Sequence, residues 1–188
     1  MALTARADFW KFFAGQALSV LGSAFSMYAI PLLVYQITGS ATELSISFAA
    51  AMLSYLLFGL TCGAIADRSA RKRLLIGSDL GRAAVFASIS LLYYPKRLPL
   101  WWIHATSFMP TVLRILFDAE EFAAIPSLVP LDDLVRANRR IQAVYSAGFI
   151  AGPPLAGLAT ADVPVVVVLW IDSLMFVIST ALPMWICT

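Results

Sequence analysis

The chain has 188 residues, of which 61% are hydrophobic and 13% charged, and its net charge is +2. A soluble domain carries about 25% charged residues, and a globule of this size has too little interior to hide so much apolar side chain. The composition therefore excludes an ordinary soluble enzyme, a disordered tail and a nucleic-acid-binding domain, because a charge balance this close to neutral attracts no polyanion.

In chain order, six segments have the length and polarity of membrane spans. A bilayer core about 30 Å thick needs roughly 20 apolar residues per helix. Residues 12–38 and 44–66 hold no charge; 74–94 hold only Asp79 and Arg82, near the start. Residues 98–117 hold only Arg114, 141–161 none, and 163–186 only Asp172. The first segment is too long for a signal-peptide core of about 7–15 residues, so it reads as a permanent helix. Backbone in lipid must satisfy its own hydrogen bonds, which favours helices. The runs do not alternate in polarity as barrel strands do. The expected fold is an all-α integral-membrane bundle of six helices over 1–188, with no soluble domain. Cys62 and Cys187 lack metal-ligand or CxxC spacing, so neither a metal nor a disulfide is expected.

Lysine and arginine set the expected orientation. Arg6, Lys11, Arg68, Arg71, Lys72, Arg73, Arg136, Arg139 and Arg140 fall on the side that holds both termini; only Lys96 and Arg97 fall on the other. Both termini are thus expected in the cytoplasm. The outer connections are short, and the longer connection, 118–138, is cytoplasmic.

Charges in or beside spans are costly and have a reason. After the second span come Gly63, Asp67, Arg68, Arg71, Lys72 and Arg73. The basic residues alone read as a cytoplasmic anchor. Asp67 faces the negative end of a helix dipole and needs a cationic partner, for which Arg71 is a candidate, or another helix's N-terminus. Gly63, one turn earlier, removes a side chain and is expected to let a neighbouring helix approach. In the fifth span, Gly148 and Gly152 form a GxxxG face that Gly157 extends, while Pro153 and Pro154 remove two backbone donors and are expected to bend the helix.

Asp79 and Arg82 stand three apart on one helix face. They read as a local ion pair or a snorkelling pair, with transport-linked gating as the other possibility. Arg114 and Asp118 stand four apart at the end of the fourth span, where Arg114 can snorkel. Asp172, about nine residues into the sixth span, has no cation within a turn. It must face the bundle interior, be protonated or pair with another helix, and a bond to Ser173 or to backbone is equally open. His104, beside Trp101 and Trp102, reads as an interfacial residue. Tyr28, Tyr55 and Tyr145 are candidates for lining a cavity.

The stretch from Gly63 through Asp67, Arg68, Arg71 and Lys72 resembles the gate loop of the major facilitator superfamily, with Ala70 where that loop often has glycine. Gly148, Gly152, Pro153 and Gly157 resemble its antiporter motif. Gly15-Gln16 with Ser19 and Gly22, the run Leu33–Gly39, the string Ile125-Pro-Ser-Leu-Val-Pro130 and Asp172-Ser-Leu-Met-Phe176 resemble its siderophore-exporter and macrolide-efflux branch. The resemblance implies a cytoplasmic gate in which Asp118 is a candidate partner for Arg71. It also associates a basic residue on the fourth helix, here Arg114, with proton coupling; Asp79, Arg82 and Asp172 are further candidates for proton or charge coupling because charges inside spans are costly.

The resemblance further implies a secondary transporter at the cell membrane that exports a hydrophobic drug or siderophore-like small molecule, with protons as coupling ion and no cofactor. Such carriers have two six-helix halves, each of two inverted three-helix repeats. This chain corresponds to the N-terminal half, so it is expected to be partial and inactive without a second six-helix half. A non-transport membrane protein, such as an assembly factor or an inactive remnant, is the alternative. An enzyme is not expected, because Ser–His, HExxH and clustered-Asp patterns are missing.

Overall fold

The computed structural model describes residues 2–66, 71–94 and 98–184, without the side chains of residues 2–8, 71 and 182–184. Its six α-helices are α1 (Ala2–Thr38), α2 (Ala41–Ala66), α3 (Arg71–Tyr93), α4 (Leu100–Leu128), α5 (Leu134–Asp162) and α6 (Val165–Met184). No strand occurs among the described residues. The chain is an all-α membrane bundle. Phe9–Thr38, Ala41–Ala66 and Lys72–Tyr93 are each apolar and long enough to cross a bilayer; the apolar part of α6, Val165–Ala181, is shorter. These three are the candidate spans by length and apolarity among the described residues. The fourth and fifth helices carry charge at one end, as helices that line a polar interior do.

The turns follow from local chemistry. Gly39 ends α1 at φ +65°, a left-handed conformation that glycine adopts without steric cost, and its N–H donates to Tyr35 O at 2.8 Å. Ser40 Oγ then accepts from Glu43 N at 3.3 Å and caps α2. The connection expected over 118–138 is mostly helix: α4 runs on to Leu128, and only a short 3₁₀ turn, Leu131–Asp133, separates it from α5. Alanine and glutamate favour helix in this stretch. Phe117, Ala124, Ile125 and Leu128 supply a buried face at helical spacing.

Helix α1 packs against α5 and α6, α3 against α4 and α6, and α2 against α4. Exchanging α1, α2 and α3 for α4, α5 and α6 maps this set of pairings onto itself. Successive helices alternate in direction, so the two triplets run oppositely, as the inverted-repeat expectation requires.

Two apolar cores result. One lies at the near end, where α1 begins, and joins Phe9, Phe12, Leu75, Phe117, Ile125 and Ile141. The other lies towards the far end and joins Leu33, Phe86, Ile89, Val165, Leu169 and Phe176.

Candidate functional site

Beside the far-end core, whose Ile30, Phe86 and Phe176 line it, lies a cavity of about 350 Å³ to which all six helices contribute. Ser23, Ser26 and Met27 come from α1, Phe48, Met52 and Tyr55 from α2, and Arg82 and Phe86 from α3. Thr111 and Arg114 come from α4, Phe149 from α5 and Phe176 from α6. The lining is mostly apolar with a few convergent polar groups, which is the pattern of a small-molecule site. The two charges on its wall are both guanidinium groups.

Asp79 and Arg82 form an ion pair, each only 2% exposed, so snorkelling is ruled out. Asp79 also accepts from Ser19 Oγ at 3.2 Å and from Ser179 Oγ at 2.7 Å. Arg82 donates to Ser19 Oγ and Ser23 Oγ, both at 3.0 Å. Its guanidinium carbon lies 4.8 Å from the Phe117 ring centre and 4.4 Å from that of Phe176. A desolvated cation is well placed between aromatic faces. The pair ties α3 to α1 and α6 at the cavity wall.

Asp172 faces the bundle interior, 1% exposed, and accepts from Ser26 of α1. Ser173 donates to Ala83 O of α3 at 2.8 Å instead of to Asp172. Gly22 makes room for the carboxylate, because a Cβ there would stand 2.5 Å from Asp172 Oδ1. Since Ser26 also lines the cavity, Asp172 stands one hydroxyl behind its wall.

At the near end, Arg114 Nε lies 3.6 Å from Asp118 Oδ2, with both side chains 28% exposed. Tyr145 Oη of α5 lies 2.8 Å from Asp118 Oδ1 and 2.6 Å from Glu121 Oε2. Gln16 Nε2 of α1 donates to Glu121 Oε2 at 2.6 Å and to Tyr145 Oη at 2.9 Å. This cluster links α1, α4 and α5 just below the cavity. Glu121 was hidden in the residues read as a connection, although Arg114, Asp118, Glu121 and Ile125 continue one helix face. Glu120 is buried there as well.

The glycine face of α5 packs as expected. A Cβ on Gly148 would lie 2.7 Å from Val20 Cγ1 of α1, and one on Gly152 would overlap Ala24. Gly157 lies against Tyr28 at ordinary contact distance. Helix α5 continues unbroken through Pro153 and Pro154. Gly63 corrects an expectation: a Cβ there would meet nothing within 4 Å among the described residues. The buried seam of α2 is Ser47, Ser54, Cys62 and Ala66, and Gly63 lies off it.

Asp67 and Arg68, the centre of the expected gate, lie outside the described residues, as does the side chain of Arg71. Lys72 is exposed on α3. At the far end, His104 is partly exposed and has partners on α2. Its Nε2 lies 2.8 Å from Glu43 Oε2 and its Nδ1 3.4 Å from Ser47 Oγ.

Residues 12–187 match the Major Facilitator Superfamily. The chain belongs to this superfamily. It is 31% identical over 150 residues to macrolide efflux protein A of Streptococcus pyogenes, covering 80% of this chain and 37% of that protein. It is 28% identical over 174 residues to the multidrug efflux pump Tap of Mycobacterium tuberculosis, covering 86% of this chain and 40% of the pump. Tap of Mycolicibacterium fortuitum is 29% identical over 164 residues, covering 81% of this chain and 38% of that protein. The chain thus spans about two-fifths of the length of the curated relatives it matches. No solved structure matches it. The family expected from the gate and glycine–proline motifs is the family found, and its similar relatives are named as efflux proteins.

Proposed function

We propose that this chain forms one six-helix half of a membrane transporter that exports a hydrophobic, drug-like small molecule by alternating access, with protons as the coupling ion. The observation that carries this reading is the cavity shared by all six helices, apolar in most of its lining and flanked by the Asp79–Arg82 pair and Arg114. The printed names of the similar relatives, macrolide and multidrug efflux proteins, support export. A second six-helix half completes the cavity, as carriers of this construction bind substrate between two halves. The basic bias of the near end supports a cytoplasmic position for both termini in the cell membrane.

Within this reading, Asp67, Arg68, Arg71 and Lys72 form the cytoplasmic gate, and Asp118 at the near end of α4 is positioned to meet it. Gly148, Gly152, Pro153 and Gly157 hold α5 against α1 while the halves rock. Asp79, Arg82, Arg114 and Asp172 carry the charge changes that couple transport to protons.

The test is uptake of a radiolabelled macrolide into everted membrane vesicles containing the protein expressed from its native reading frame. Uptake should follow an imposed pH gradient, collapse with a protonophore, and fall when Arg82 is changed to Met. Vesicles with and without the protein that accumulate the macrolide equally would support a non-transport membrane protein instead. Gradient-driven transport by the isolated 188-residue chain, shown to be monomeric, would remove the need for a second half.

A further inference from the structure

The near-end cluster contains more acceptor oxygens than its hydrogens can serve. Tyr145 Oη carries one hydrogen. It stands 2.8 Å from Asp118 Oδ1 and 2.6 Å from Glu121 Oε2, both within hydrogen-bonding distance. Gln16 supplies nothing further, because its two amide hydrogens already point at Glu121 Oε2 and Tyr145 Oη. With both acids ionised, one of the two oxygen–oxygen contacts holds no hydrogen and is repulsive. A single added proton satisfies the whole set. It sits on Glu121 Oε2 and donates to Tyr145 Oη, whose own hydrogen goes to Asp118 Oδ1.

The surroundings decide which acid holds it. Asp118 is partly exposed and already has a cationic partner in Arg114. Glu121 is fully buried and makes no ion pair among the described residues; its Oε1 has no hydrogen-bond partner there either. From α1 it faces Gln16, with Lys11 exposed at the surface. On α4 its neighbours are Arg114, Asp118 and Glu120. Tyr145 comes from α5, with Arg139 and Arg140 exposed nearer the end of that helix. On α3, Lys72 is exposed, and the Asp79–Arg82 pair stands behind the Phe117 ring. Tyr55 of α2 lies across the cavity wall near Arg114.

We propose that Asp118, Tyr145 and Glu121 form a proton-binding site at the near end of the bundle, with the proton resident on Glu121. The site deepens the proton-coupled reading above and rests on it for its role in transport. It joins the cavity to the near end: Arg114 lines the cavity, Asp118 pairs with Arg114, and Tyr145 bridges Asp118 to Glu121. A ligand that draws Arg114 away from Asp118 disturbs the contact that holds Asp118 against Tyr145 Oη. Tyr145 passes this to Glu121, so cavity occupancy and proton affinity become linked.

The test is an infrared pH titration of the detergent-purified full chain, reading the carboxylic C=O stretch of buried protonated acids. Wild type should show a titrating band that is absent from Glu121→Gln and present in Asp79→Asn and Asp172→Asn. The glutamine amide can donate to Tyr145 Oη, losing only the bond that Oε2 accepts from Gln16 Nε2, so helix content by circular dichroism should be unchanged. Should that variant unfold, Glu121→Asp keeps an acid in place and should shift the band. In Tyr145→Phe the band should persist at higher frequency, because the acid loses the oxygen it donates to. Wild-type bands surviving intact in Glu121→Gln, or the titrating band vanishing only in Asp172→Asn, would overturn the site. Vesicle transport separates the two proposals. Efflux indifferent to the pH gradient in wild type would sink the transport reading and leave the infrared assignment standing. Gradient-driven efflux with an unaltered band in Glu121→Gln would sink the site alone.

Discussion

Two buried acid neighbourhoods, reached from α1 by Ser19 and Gln16, which stand three residues apart, solve the same problem in opposite ways. Asp79 meets a full cation in Arg82, and three serines complete the shell. The pair is neutral and its charges have nowhere to go. Glu121 meets a phenol and an amide, both neutral, and shares the phenol with a second acid. The first arrangement fixes helices to one another. The second leaves one hydrogen position open to exchange, which a coupling site needs and a structural pair does not. Burial alone therefore does not mark an acid as functional; the count of donors around it does.

The comparison is broken most severely at the ion pair. Changing Asp79 to Ala leaves the Arg82 charge buried and unpaired, which should cost about 3–5 kcal/mol. A large drop in the thermal unfolding midpoint in detergent would show it. Changing both residues, Asp79→Leu with Arg82→Met, should recover much of that loss, because the orphaned charge is gone.

Next in size is the contact that positions the second neighbourhood. Gly152 lies two helical turns from Tyr145 and lets α5 touch Ala24 of α1. Gly152→Val should push α5 outward at a cost of about 1–3 kcal/mol, separating Tyr145 from Gln16. The same change at Gly63, which meets nothing within 4 Å among the described residues, should be close to neutral in the same unfolding assay.

Gln16→Leu should cost about 1–3 kcal/mol by removing two donors from buried oxygens, and it should move the carboxyl band of Glu121. The smallest effect is expected at the surface. Arg136 donates to Asp133 at 3.2 Å with 62% of its side chain exposed. Arg136→Ala should change stability by less than about 1 kcal/mol, which sets the baseline for the other three.

The bundle was legible because charge-free runs of bilayer length are hard to explain otherwise. Gly148 and Gly152 were legible because small residues one turn apart serve close helix contact in lipid, and Val20 and Ala24 occupy that space. The Asp79–Arg82 pair was visible from its three-residue spacing, though not its depth. Gly63 misled because a glycine before a charged loop looks like a contact point, whereas the packed side of α2 runs through serines and Cys62.

Glu121 was missed for a different reason. Adjacent acids after a span look solvated, and only the continuation of the Arg114–Asp118 face shows that the helix carries them inward. The pairing of α1 with α5 and of α4 with α2 had no sequence signal, since repeats that share packing need not share residues.

The length of α4 has a mechanical consequence. At 29 residues it is roughly 43 Å long, longer than a hydrocarbon core of about 30 Å. It crosses the cavity wall and carries Glu121 about seven residues beyond Arg114. A stiff rod that pivots near its middle moves its tip further than its shaft. A slight tilt of α4 as cargo settles would displace Arg114 little and Glu121 more, so the outlying acid works as the pointer on a dial.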